Sequence, residues 1–198
     1  MPKIVLPIAN GFYESDSLPI SAQECVNFYP NIAQAPALNQ ETLYGTAGLE
    51  EVANANSLTG NRGAHEMNGV PYFVMNTKLY SMAADYTLTL IGTIEGTSRV
   101  SMADNGTQLL VLVPSGKGYI YNHVTDAFAE ITDSDFTANG APQLVVYIDG
   151  FFCLTTDSKK FIVSALNNGL SYNALDFGTA ESDPDEIVAP IVFNNQLF

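Results

Sequence analysis

The sequence predicts an all-β protein, and three observations carry that reading. First, turn dipeptides recur at Asn68-Gly69, Asn105-Gly106, Asp149-Gly150 and Asn194-Asn195. Their second members are separated by 37, 44 and 45 residues. Asn-Gly and Asp-Gly supply the positive φ angles that a two-residue hairpin turn requires. Second, the runs between them are short, apolar and rich in Val, Ile, Tyr, Phe and Thr, which is strand composition. Third, no stretch carries a helical stripe over three turns.

The elements follow in order. Residues 1–60 lack strong periodicity and hold Pro2, Pro7, Pro19, Pro30 and Pro36. They read as an extended docking arm, ordered by packing on something else. Residues 61–198 repeat one succession: an apolar strand, a turn dipeptide, a second strand, a polar turn, a third strand with an aromatic, and a weaker fourth. The polar turns are Asn76-Thr77, Ser115–Gly118 and Asp157–Lys160, and the strands after them are "KLYSM", "GYIYN" and "KFIVSA". The weaker strands are "TLTLIGTI", "AFAEIT" and "ALDFGT". Four antiparallel strands at this period are the signature of a β-propeller blade. Blades are expected at 62–96, 97–138 and 139–180, with a fourth opening near Ile187 and stopping inside its second strand. Propellers close with ~4–8 blades, so the ring is incomplete. The expectation is a fragment, or a partner segment that completes it.

Composition narrows the function classes. The chain has 198 residues, 46% of them hydrophobic, so a substantial core is possible. No apolar run approaches the ~18 residues of a membrane span, and the start lacks the pattern of a signal peptide. The expectation is a soluble protein made in the cytoplasm, without membrane insertion. Seven bases stand against 21 acids, a net charge of −14. No base lies between Ile4 and Asn61 or after Lys160. Specific DNA binders present a clustered basic footprint, which this chain lacks.

The motifs that invite chemistry fail on spacing. "VLVPSGKGYIY" (Val111–Tyr121) suggests a phosphate loop. That motif needs a glycine five residues before the Gly-Lys pair and Ser or Thr after the lysine, opening a helix. Here those positions are Val111 and Gly118, and a strand follows. In "DSDFTANG" an EF-hand frame from Asp133 puts Ala138 at the glycine position and Leu144 at the glutamate position. A frame from Asp135 puts Val146 at the latter, so both fail. "ESDPDE" (Glu181–Glu186) reads as a solvated interblade loop. His65 and His123 show no ligand spacing. Cys25 and Cys153 form neither a disulfide framework nor a metal clamp, and Cys153 in "FFCLTT" reads as a buried small hydrophobe. No GxSxG is present. No catalytic, cofactor-binding or metal-ligating residue is assigned, and no cofactor is expected.

The segments "NRGAHEMNGVPYFVMNTKLYSM", "IGTIEGTSRVSMADNGTQLLVLVPSGKGYIYN" and "DPDEIVAPIVFNNQLF" resemble the tail hub of short-tailed bacteriophages. That family is also called packaged-DNA stabilisation protein, tail accessory factor or nozzle. The matching features are Arg62-Gly63, Lys78-Leu79-Tyr80, Gly96 with Arg99-Val100-Ser101-Met102-Ala103, and Asp183 to Ile187. In the arm, Ser17 to Asn31 resembles the family's amino-terminal start around Asn27-Phe28-Tyr29-Pro30.

The resemblance implies a structural virion protein and no enzyme. It implies a propeller-bearing subunit of a homo-hexameric ring below the portal and adaptor rings. Such a ring extends the DNA channel, retains the packaged genome and passes DNA during ejection without gripping it. The chain would reside in the phage tail after synthesis in the host cytoplasm. Carboxylates facing the lumen would suit that role. Two other readings stay open at this point: a carbohydrate-binding or receptor-recognition propeller, and a host scaffold for protein partners.

Overall fold

The computed structural model describes residues 26–32, 41–55, 60–114, 116–180 and 187–198. Expectations for the remaining residues of the arm, for Ser115, and for the acidic loop 181–186 fall outside these. The chain divides between Glu51 and Val52 into two compact units.

In the first unit, β1 (Phe28–Ile32) and β2 (Glu41–Gly45) pair antiparallel, from Phe28 opposite Gly45 to Ile32 opposite Glu41. The Tyr29 and Tyr44 rings stack across the pair at 5.8 Å, a cross-strand aromatic contact of the kind that stabilises sheets. A hairpin was not expected here, because the prolines obscure the strand pattern. Pro30 is accommodated because an edge strand need not donate at every position.

The second unit is built of meanders. Strands β3 (Asn61–Met67), β4 (Val70–Met75), β5 (Lys78–Met82) and β6 (Leu88–Thr93) form one four-stranded sheet in sequence order. Strands β7 (Ser101–Asp104), β8 (Gln108–Leu112), β9 (Gly118–Asn122) and β10 (Ala127–Glu130) form the next. Strands β11 (Pro142–Ile148), β12 (Phe151–Thr156), β13 (Lys160–Ala165) and β14 (Asn168–Thr179) form the third. A final hairpin, β15 (Val192–Phe193) with β16 (Gln196–Leu197), begins a fourth. The four-stranded antiparallel sheets agree with the expected all-β fold class. Strands β3, β7, β11 and β15, the first of each sheet, lie beside one another in succession. Among the described residues there is no α-helix; a single 3₁₀ turn spans Ser134–Thr137.

The turns show why the spacing was informative. Asn68 and Gly69 have φ of 55° and 77°, Asp149 and Gly150 have 49° and 91°, and Asn194 and Asn195 have 48° and 57°. Positive φ at both central residues is the two-residue type I′ turn. Asn105-Gly106 departs from this. Only Gly106 is left-handed, and the loop contains three residues, Asn105 to Thr107. The Asn105 Oδ1 accepts from the Thr107 and Gln108 amides, at 3.0 and 2.7 Å. Such an Asx turn competes with the two-residue alternative. Strand β14 also exceeds expectation, because "NGLSYN" joins it across two register irregularities.

The blades pack face to face. Between the first and second, Met67, Tyr72, Val74, Leu79 and Ile94 meet Leu109, Val111, Tyr119 and Tyr121. Between the second and third, Ala103, Leu110, Leu112 and Ile120 meet Val145, Phe152, Leu154, Ile162 and Tyr172. The middle blade is therefore buried on both faces. That is why β8 reads as an unbroken apolar run, Leu109 to Leu112, with every side chain fully buried. Each such side chain contributes roughly 1.5–3 kcal/mol relative to exposure. Gly92 lies under the Phe128 ring, where an added Cβ would sit 2.4 Å from a ring carbon.

One hydroxyl in this core lacks a partner. The Tyr172 OH is buried without a hydrogen bond, while its ring packs edge-on against Phe136 at 4.9 Å. Burying an unpaired hydroxyl costs about 1–3 kcal/mol. Tyr172→Phe is therefore expected to leave stability unchanged or raise it by ~1 kcal/mol, read as an unaltered or higher urea midpoint. A clear loss of stability would contradict the orphaned state of the hydroxyl.

Candidate functional site

The polar side chains converge on the seams between blades. Arg62 is the clearest case. It sits on β3 and is 5% exposed. Its Nε donates to the Ser98 carbonyl at 2.7 Å, and its Nη1 to Asn76 and Ile94 at 2.8 and 3.0 Å. Its Nη2 donates to Glu95 at 2.9 Å. One guanidinium thus ties the β4–β5 turn to the connection that carries the chain from the first blade to the second. The Val100 amide donates back to the Arg62 carbonyl at 3.0 Å. Gly96, at φ 85°, lets the connection fold around the guanidinium, 3.4 Å from an added Cβ. Burial lowers the proton affinity of Arg62, but an arginine stays charged in a protein.

The next seam is closed differently. Arg99 and Gln143 stand, like Arg62, five residues before the end of their blade's first strand. Arg99 forms no such clasp. Instead Asp133 accepts from the Asp135 amide through Oδ1 at 3.0 Å and from the Tyr172 amide through Oδ2 at 2.9 Å. Asp135 accepts from Ala174 at 3.1 Å. Asn139 Nδ2 donates to the Ala174 carbonyl at 2.8 Å, and Lys160 Nζ donates to Asn139 Oδ1 at 3.0 Å. The "DSDF" segment that hinted at a calcium loop is a 3₁₀ turn that pins the irregular middle of β14. The Tyr172 and Asp135 amides hold the Asp133 carboxyl below the usual carboxylate range.

The Gly-Lys segment is the loop between β8 and β9. The Val113 amide donates to the Lys117 carbonyl at 2.9 Å. Lys117 Nζ lies 3.2 Å from Glu95 and 3.1 Å from Glu130. Those carboxylates raise its pKa. The lysine is therefore engaged across the seam rather than simply solvated. His65, on β3, pairs with Asp104 on β7 at 2.6 Å. His123, in the β9–β10 turn, reaches the Gly106 carbonyl at 3.0 Å, beside Asn68 Nδ2, which donates to the same oxygen at 2.6 Å. The Tyr121 hydroxyl donates to Asp126 at 3.0 Å, and burial together with that carboxylate pushes its pKa up to about 12.

Cys153 is buried, and burial pushes its thiol pKa up; Cys25 lies outside the described residues. Among the described residues no group of three or more His, Cys, Asp or Glu side chains is placed to hold a metal ion. No helix among them is long and apolar enough to cross a membrane. The role of Arg62 was missed in the sequence. A signal existed: a lone base at the start of the first repeat, matched 37 residues later by Arg99.

Four-stranded antiparallel sheets packed face to face, with their first strands side by side, define a β-propeller architecture. The family model described as "Bacteriophage P22 Gp10, beta-propeller" matches residues 4–198, and the chain belongs to that phage-stabilisation family. It is a bacteriophage structural protein. No curated protein matches it. Among solved structures it is similar to the computationally designed Ika8 protein, at 11% identity and a TM-score of 0.53. That match covers 88% of this chain and 52% of the other. A chain of the mitotic checkpoint complex matches at 12% identity and a TM-score of 0.44, over 80% of this chain and 52% of that one. PorZ, a surface component of the Porphyromonas gingivalis type-IX secretion system, matches at 12% and 0.32, over 65% and 24%. The chain thus spans about half the length of the first two. At these identities the likeness concerns the fold alone.

Two outcomes are expected. Arg62→Lys keeps the charge but cannot reproduce a planar fork. Loss of several hydrogen bonds, one buried and three partly buried, should cost about 3 kcal/mol, seen in the urea midpoint. Because Asp133 is depressed in the fold, its contribution is present above the unfolded aspartate pKa of ~3.9 and is lost as pH falls through the lower folded value. The wild type should therefore lose stability on acidification below about pH 4 more steeply than Asp133→Ala, measured by denaturation across pH 2–5. Equal slopes would remove this role from Asp133.

Proposed function

We propose that the chain is a subunit of a short-tailed phage tail hub, or nozzle, that assembles as a homo-hexameric ring. Family membership over residues 4–198 carries this reading. In it, the ring continues the channel of the portal and adaptor rings, retains the packaged genome and conducts it outward at ejection. Its work is assembly rather than catalysis. The arm, residues 1–60, docks on a neighbouring subunit or on the adaptor. The protein is made in the host cytoplasm and carried in the virion.

The electrostatics support this role. A conduit must not hold the polymer it passes. The chain has a net charge of −14. Several bases are already occupied: Arg62 by carbonyls, Lys117 by two glutamates, and Lys160 by Asn139 and the Phe177 ring 4.3 Å away. Repulsion between carboxylates and phosphates, screened over ~8–10 Å at physiological salt, keeps a duplex mobile.

Mass measurement of the chain with its sibling copies, adaptor and portal tests the reading. A ring-sized species, or a complex with the adaptor, is expected. A monomer that ignores all three would overturn it. Duplex DNA should not be retained at physiological salt, and tight binding with a steep salt slope would contradict the conduit role.

A further inference from the structure

The Arg62 clasp leaves an electrostatic question. The guanidinium is buried, yet all four of its hydrogen bonds go to neutral carbonyls. Among the described residues no carboxylate stands within ion-pair distance of it. An arginine has five N–H donors, so one remains without an acceptor there. Buried charges in proteins are paired, because leaving one unpaired is costly.

A second cation faces the same place. Arg99 is exposed, and no hydrogen bond or ion pair engages it among the described residues. Arg62 and Arg99 line one hollow of about 320 Å³ together with Asn61, Asn76, Thr97 and Gly60. Two amide side chains and a hydroxyl complete a lining able to donate hydrogen bonds, and no acidic residue belongs to it. In a chain with three acids for each base, an acid-free hollow with two guanidinium groups is a local reversal of sign.

We propose that this hollow is an oxyanion site that takes one compact anionic group, a carboxylate or a phosphate. Arg99 supplies the forked donor, for which both groups have the matching geometry. Arg62 supplies fixed positive charge from the lining, held by the clasp. Asn61, Asn76 and Thr97 supply neutral donors. The anion balances the charge that the clasp buries, so occupancy stabilises the first seam. The inference stands apart from the tail assignment, since it concerns chemistry at one seam of the described unit.

Inorganic phosphate and acetate are titrated separately into the full chain in low-chloride buffer. The readouts are the arginine side-chain resonances and the thermal midpoint. A saturable response to at least one anion is expected, and whichever binds more tightly identifies the preferred group. Arg99→Gln should weaken binding about tenfold or more, the usual loss of a charge-assisted bond, while remaining folded because Arg99 is exposed. Lys159→Gln, which removes an exposed base on the third blade, should leave binding unchanged. No saturable response to either anion would overturn the proposal. So would equal weakening by both substitutions, which would mean that net charge alone is being sensed.

Discussion

The first seam depends on one buried guanidinium. Blades of this kind present flat apolar faces, which stack readily but do not specify where one sheet ends and the next begins. The connection between them must leave an outer strand and return to an inner one, and its carbonyls need donors. Arg62 meets that need for Asn76, Ile94, Glu95 and Ser98 at once. Its planar fork sets the path of the connection, and Gly96 supplies the left-handed backbone at the tightest point. The hydrophobic contacts of Met67, Val74 and Leu79 with Leu109 and Val111 then follow from a geometry already set.

The second seam solves the same problem with the opposite sign. Two aspartates receive amides from β14, and Asn139 returns a donor to the Ala174 carbonyl. The difference follows from what each connection offers. Around Arg62 the exposed backbone groups are carbonyls, which call for a cation. Around Asp133 and Asp135 they are the amides of a strand lifted off its neighbour, which call for carboxylates. Both arrangements place charge against backbone dipoles, where charge-assisted bonds are stronger than neutral ones. In both, the charge is held by backbone groups that the connection between blades would otherwise leave without partners.

Net acidity and seam chemistry are linked. Lys117 joins the β8–β9 loop to Glu95 and Glu130, and His65 joins β3 to β7 through Asp104. In each case a basic side chain is held by a carboxylate. The hollow beside Arg99 is where this pattern breaks.

The repeat was legible in the sequence because turn chemistry is local. Asn68-Gly69, Asp149-Gly150 and Asn194-Asn195 state their backbone angles through their own residue types. The β1–β2 hairpin was not legible, since its pairing joins segments that lack alternation. The roles of Arg62, Asp133 and Asp135 were hidden for a further reason. Each depends on backbone groups far along the chain: Ser98 for Arg62, Tyr172 and Ala174 for the aspartates. A sequence lists side chains but not which distant carbonyls and amides are left without partners. The sequence by itself determined the hairpins that make up the sheets, because turn chemistry is set by neighbouring residues. Only the tertiary structure decided how the blades are joined and where positive charge gathers, because those follow from dipoles brought together across a seam.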